Sequence, residues 1–115
     1  MFEVTEKFTS EQNLDIHYRK HVIRENDFGD ITKEQYELLA DLTQSKPVDN
    51  KNILGYVSEK DGRLAYCKYD KSTGIFVVYF YKNNKPLTIT CYIKSWRKYN
   101  ADRAIEYYDE IPKGL

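Results

Sequence analysis

Cysteine, proline and glycine are scarce in this chain of 115 residues, at two, three and five positions. The two cysteines, Cys67 and Cys91, sit in strand-like segments without CxxC spacing. That excludes a disulfide framework and a zinc knuckle, and predicts two buried thiols. With so little glycine and proline, and with 41% hydrophobic and 31% charged residues, the chain is neither fibrous nor disordered; one domain over residues 1–115 is expected. Long apolar runs are missing too. The longest, Ile75 to Tyr81, counts seven residues with its tyrosines, against roughly 20 for a bilayer span, so no membrane partner is expected. The opening segment MFEVTEKFTSEQ has no apolar stretch bounded by positive charge; neither a secretory signal nor a transit peptide is read there, and the expected location is cytoplasmic.

Net charge is also absent, with 18 basic and 18 acidic residues, but the balance hides a gradient. Residues 1–50 carry six Lys/Arg against eleven Asp/Glu, net −5; residues 51–100 carry ten against three, net +7; residues 101–115 carry two against four, net −2. Local potential, not net charge, steers a polyanion. The basic middle therefore suits RNA, although lysines at strand edges also serve simply to discourage aggregation.

Two helices and then four strands follow from periodicity and turn chemistry. Ser10 to Glu25 reads as a helix capped by Ser10, with Leu14, Tyr18 and Val22 on its apolar stripe. Thr32-Lys33-Glu34-Gln35 reads as a capping box for a second helix ending near Thr43, with Ile31 stapling onto Tyr36. Strands are expected at Ile53 to Val57, Arg63 to Tyr69, Ile75 to Tyr81 and Leu87 to Ile93, joined by short turns that make antiparallel neighbours. Asn100 is read as the cap of a final helix, Ala101 to Tyr108. The fold class is α+β: N-terminal helices packed on one face of a four-stranded antiparallel meander, with a short C-terminal helix. Alternation puts Ile75, Val77, Tyr79, Ile89, Cys91 and Ile93 in the core with Leu14, Tyr18, Val22 and Leu39.

Both histidines fall in His17-Tyr18-Arg19-Lys20-His21. On the helical wheel they border the apolar stripe, and Lys20 and Arg24 continue the same border. Such a pair supplies one general base and one general acid; equally, it is what a half-buried pair at a core edge looks like. Tyr18 follows His17 where an HExxH protease has glutamate, and no phosphate-cradling glycine loop is present, so no metal and no nucleotide cofactor is expected. A second cluster mixes cations, hydroxyls and aromatics, the types that hold phosphate and stack on unpaired bases: Lys71 and Thr73 in one turn, then Thr90, Lys94, Trp96, Arg97, Lys98 and Tyr99.

HYRKHV, NDFGDITKEQYELLA, ILGYV, YDKSTGIFVVYFY and a late arginine-bearing segment together resemble small phage-encoded and contact-dependent toxin domains of the barnase/EndoU/colicin/RelE-like ribonuclease superfamily. The resemblance covers roughly His17 to Tyr99. It implies a helical N-terminal part, a four-stranded antiparallel sheet and metal-independent cleavage of RNA such as tRNA, with an immunity or antitoxin protein as a possible partner. Position by position, the lysine-histidine step matches Lys20-His21, the hydroxyl after the tyrosine-aspartate turn matches Thr73, and the late arginine matches Arg97. The chain departs from the pattern at Arg97-Lys98-Tyr99, where arginine-x-phenylalanine is usual, and in its acidic first half.

For such cleavage, His17 and His21 are the expected proton carriers. Lys20 and Arg97 would stabilise charge on phosphorus, and Thr73 or Thr90 would orient a phosphate oxygen. Lys71, Lys94, Trp96, Lys98 and Tyr99 would bind the strand. The competing reading is a non-enzymatic phage or mobile-element module, such as an inhibitor of a host defence nuclease, in which acidic residues imitate phosphate and the eleven tyrosines build the interface.

Overall fold

The computed structural model describes residues 7–8 and 10–115; residues 1–6 and 9, within the segment read for a targeting signal, lie outside the described residues. Ser10 caps α1 (Glu11–Tyr18), its hydroxyl accepting from the Asn13 amide at 3.0 Å. The helix does not run on as α to Glu25. It widens into a π-helical turn, Arg19–Arg24, in which the Glu25 amide donates to the Lys20 carbonyl at 2.9 Å. This matters for side-chain placement. Four residues overshoot one α turn by about 40°, whereas a turn closed by i→i+5 bonds is wider and brings i and i+4 closer to superposition.

The capping box forms as expected at the start of α2 (Lys33–Ser45). Thr32 Oγ1 accepts from the Gln35 amide at 3.1 Å, and Gln35 Oε1 accepts from the Thr32 amide at 2.8 Å. At the other end, the fully buried Lys68 ammonium donates to the Gln44 and Lys46 carbonyls, each at 2.7 Å. A cation there satisfies orphan carbonyls and meets the negative end of the helix dipole.

The strands are β1 (Lys7–Phe8), β2 (Ile53–Lys60), β3 (Arg63–Asp70), β4 (Ile75–Lys82), β5 (Lys85–Ile93) and β6 (Tyr107–Asp109), in the order β1-β5-β4-β3-β2-β6. The expected meander β2-β3-β4-β5 is present, lengthened by antiparallel β6 and by β1 parallel to β5. Two of its hairpins turn on residue pairs with positive φ, Asp61-Gly62 and Asn83-Asn84, the backbone that matches strand twist in a two-residue loop.

The strand phase is as expected on one face. Ile75, Val77, Tyr79 and Cys91 form a core with Leu14, Val22, Tyr36 and Ala40, and Tyr18, Leu39 and Ile93 pack at its margin. Ile89 is the exception. Val78 pairs with Thr90 but Tyr79 with Thr88, so β5 carries an extra residue there. This bulge puts Ile89 with Val78 on the opposite face.

The last helix also differs from expectation. It is α3, Trp96–Glu106, capped by Ser95, whose hydroxyl accepts from the Lys98 amide at 3.1 Å. Tyr107 and Tyr108, expected at its end, are in β6 instead, the pairing that aromatic side chains favour. Nor do the helices share one face: Tyr99 of α3 packs with Tyr56, Cys67, Tyr69 and Phe76 on the other side of the sheet. Both cysteines are free and buried, one on each side. No helix among the described residues is long and apolar enough to cross a membrane.

Candidate active site

α1 crosses the β5 side of the sheet, tied there by Asn13 Nδ2 donating to the Ile89 carbonyl at 2.9 Å. From α1 and the π turn, His17 and His21 reach round to the face occupied by α3. Their rings stack with centroids 5.7 Å apart and an interplanar angle of 8°, the superposition that the wider turn permits. His21 also stacks on Tyr92, with centroids 4.9 Å apart.

Thr90 joins the two imidazoles. Its Oγ1 lies 2.9 Å from His17 Nδ1 and 3.4 Å from His21 Nε2. Behind His21, Nδ1–H donates to Glu25 Oε1 at 2.6 Å. A carboxylate only accepts, so this bond sets the tautomer and leaves Nε2 of neutral His21 as an acceptor facing Thr90. Burial lowers the pKa of His17, helped by the charges of His21 and Lys20. His21 is lowered by burial as well, but Glu25 opposes the shift through its hydrogen bond and its charge.

His21, Glu25 and Asp27 bring ligand-type atoms within 4.8 Å of one another. His21 Nδ1 is hydrogen-bonded to Glu25, so the trio is first an oriented imidazole.

Beside this cluster lies an open cleft of about 520 Å³ over the same sheet face, with Ala65, Cys67, Phe76 and Val78 on its floor and Ile89, Tyr92, Arg63 and Glu106 around it. Tyr92 is shared: it lines the cleft and supports His21.

The remaining candidates are distributed differently. Lys20 is exposed and close enough for its charge to act on both imidazoles. Thr73 caps the turn before β4, accepting from the Ile75 amide at 3.2 Å, and Ile75 is itself roughly 10 Å along the strand from Val78, the partner of Thr90. Arg97 is exposed, about 160° round α3 from the inward-facing Tyr99, so it does not converge on the histidines. The second cluster is largely neutralised or buried. Lys94 is buried over the Phe76 ring at 3.5 Å and pairs with Asp102 at 2.7 Å; Lys98 pairs with the same carboxylate at 2.9 Å. Tyr99 is a core residue stacked on Tyr69 at 4.5 Å, unable to take a base. Only Lys71, with its ammonium 4.3 Å over the Trp96 ring, and Trp96 itself, 44% exposed, face solvent as a pair.

Glu25 and Tyr92 were not singled out by sequence reasoning. The i,i+4 step from His21 to Glu25 was a legible signal; that Tyr92 lies under His21 follows only from the helix crossing β5. No family model, curated protein or solved structure matches this chain.

Proposed function

We infer that this protein is a metal-independent endoribonuclease acting on RNA in the cytosol. The observation that carries the reading is the His17–Thr90–His21 cluster, two stacked imidazoles sharing one hydroxyl at the rim of an open sheet face. Two strongly interacting imidazoles take protons in sequence, as a pair. The first goes to His21, where Glu25 supports the cation. Its charge and that of Lys20 then disfavour a second proton on His17. The singly protonated pair, one acid and one base, is thus populated on the acid side of neutrality, because both pKa values are lowered.

In the proposed reaction His17 takes the proton of an RNA 2′-hydroxyl, and that oxygen attacks the adjacent phosphorus. The P–O5′ bond breaks as His21 protonates the departing oxygen, leaving a 2′,3′-cyclic phosphate and a 5′-hydroxyl. Thr90 Oγ1 and Lys20 hold the non-bridging oxygens while charge builds, and Lys71 with Trp96 supports a flanking stretch of strand. Arg97 and Thr73 have no part in this chemistry. As a toxin-type enzyme it would be held in check by an immunity or antitoxin partner.

A second reading, a phosphate-imitating binding module, draws on the far edge of the sheet. There Ile105 is 84% and Tyr108 55% exposed next to Glu106, Asp109 and Glu110. Total tRNA incubated with the protein in EDTA separates the two. Discrete fragments ending in cyclic phosphate are expected, with His17→Ala and Thr90→Val lowering the rate about 100-fold or more at a stability cost of about 1 kcal/mol or less. Intact RNA at all protein concentrations removes the enzyme reading.

A further inference from the structure

We propose that the outer face of α1 and its π turn, from the imidazoles round to the groove against α2, carries the phosphate backbone of the RNA beyond the cleaved bond; this rests on the ribonuclease reading for its use but not for the binding itself. Between α1, the π turn and α2 lies an open groove of about 470 Å³, walled by Tyr18 and Ile23 and holding Arg19, Arg24 and Lys33 against one carboxylate, Asp15. Asp15 is shared between Arg19 at 3.0 Å and Lys33 at 3.7 Å, so positive charge is left over. Lys20 and Arg24 are exposed, and among the described residues neither forms an ion pair. They follow His17 and His21 by three, the spacing of neighbours on a helix surface, and the charge of Lys20 reaches both rings. The acids of the same turn, Glu25 and Asp27, gather at His21 and not in the groove. The four cations therefore form one band that starts at the imidazoles and ends at Lys33.

The band reverses the charge map of the sequence. Residues 51–100 hold the surplus of cations, net +7, yet Lys94 and Lys98 are paired with Asp102 and Lys68 is buried beneath carbonyls. Residues 1–50 are acidic as a whole, net −5, and still bring four cations to one surface. A polyanion meets the local potential, not the composition. Cations without exposed aromatic rings beside them hold phosphates and do not read bases. Tyr18, the one aromatic ring of the groove, is half-buried, and its hydroxyl donates to the Ile31 carbonyl at 2.8 Å. An acidic protein fits the band less well, because the centre of a protein interface is depleted of charge and rich in aromatic rings, whereas the exposed apolar groups on this helix are Ile16 and Ile23. Binding here is then independent of base sequence, and it requires an RNA that continues past the cleaved bond across the width of a helix, about 10 Å.

The test uses a strand that the proposed chemistry cannot cut: a fluorescein-labelled oligodeoxythymidine, which lacks the 2′-hydroxyl, titrated with the full chain and followed by anisotropy across a salt series. Arg19→Gln, Arg24→Gln and Lys33→Gln together, with circular dichroism unchanged, are expected to weaken binding about tenfold or more and to make the slope of log K against log salt shallower by about 2, since three phosphate contacts are lost. Lys82→Gln with Lys85→Gln, on the exposed turn between β4 and β5, is the control for net charge and is expected to change affinity by about threefold or less. Oligodeoxycytidine is expected to bind like oligodeoxythymidine. Equal losses from the two sets of substitutions, an unchanged slope, or no binding at low salt overturn the proposal; so does tighter binding of polyglutamate than of the strand, which assigns the band to an acidic protein. Cleavage of tRNA separates the two readings. Band-dependent binding of the uncut strand without any cleavage of tRNA supports the surface and removes the ribonuclease, whereas cleavage by the triple variant at unchanged kcat/KM removes the surface and leaves the ribonuclease standing.

Discussion

The two faces of the sheet are built from the same residue types and end in different states. On one, Tyr36, Ala40, Leu14 and Val22 close over Val77, Tyr79 and Cys91, and the Tyr36 hydroxyl donates to the Cys91 carbonyl. On the other, α3 covers only the end around Tyr56, Tyr69 and Phe76 and leaves Val78, Ile89 and Tyr92 lining a cleft. Amphipathic helices with a full apolar stripe seal a sheet; α3 offers Tyr99 alone as a buried residue and cannot. Incomplete cover is what gives the histidine cluster an open surface to act on.

The contrast is most directly broken by truncating one large side chain on each face. Tyr36→Ala should cost about 3–5 kcal/mol, since a fully buried ring leaves a cavity that rigid neighbours do not fill. Val78→Ala, on the half-covered floor, should cost about 1 kcal/mol or less. Guanidinium unfolding midpoints at constant m-value measure both; equal costs would mean that the cleft is as tightly packed as the helix-covered core.

A smaller effect should appear with pH. Both imidazoles have pKa values below the ordinary 6.5 in the folded protein, so near pH 6 the unfolded chain binds more protons than the folded one. Stability is then full above about pH 6.5 and falls as pH drops through the lowered folded values. His17→Asn should flatten that slope in urea titrations between pH 7 and 5. An unchanged slope would assign it to His21, since the carboxylates Asp70 and Asp102, whose pKa values are also lowered, titrate at lower pH. The smallest effect belongs to the exposed pair. Lys71→Glu should alter stability by no more than about 0.5 kcal/mol while weakening RNA retention and its salt dependence; identical retention in a filter-binding salt series would detach Lys71 and Trp96 from the RNA path.

Much of this fold is legible in local sequence because the signals are local. Ser10 and the Thr32/Gln35 box are caps whose partners lie three residues away, and the meander follows from alternation and short turns. The C-terminal part was misread for a corresponding reason. Ser95 and Asn100 are both acceptable caps, and the choice depends on laying Tyr99 against Tyr69 and Phe76, a contact that exists only once β3 and β4 are paired.

The candidate site divides along the same line. The sequence by itself determined that two histidines and a lysine lie within one or two turns of each other, that a glutamate follows one of them by four, and that a mid-chain basic, tyrosine-rich sheet would form. Tertiary structure alone decided which of these groups meet. The π-helical turn stacks the two imidazoles, the bulge in β5 turns Ile89 into the cleft, and the crossing of α1 over β5 sets Thr90 between rings that are distant from it in sequence. It also buried Lys94 and Tyr99 and turned Arg97 outward, because residue type sets what a side chain does at a site, whereas its angle round a helix or parity in a strand, set by packing, decides whether it reaches one.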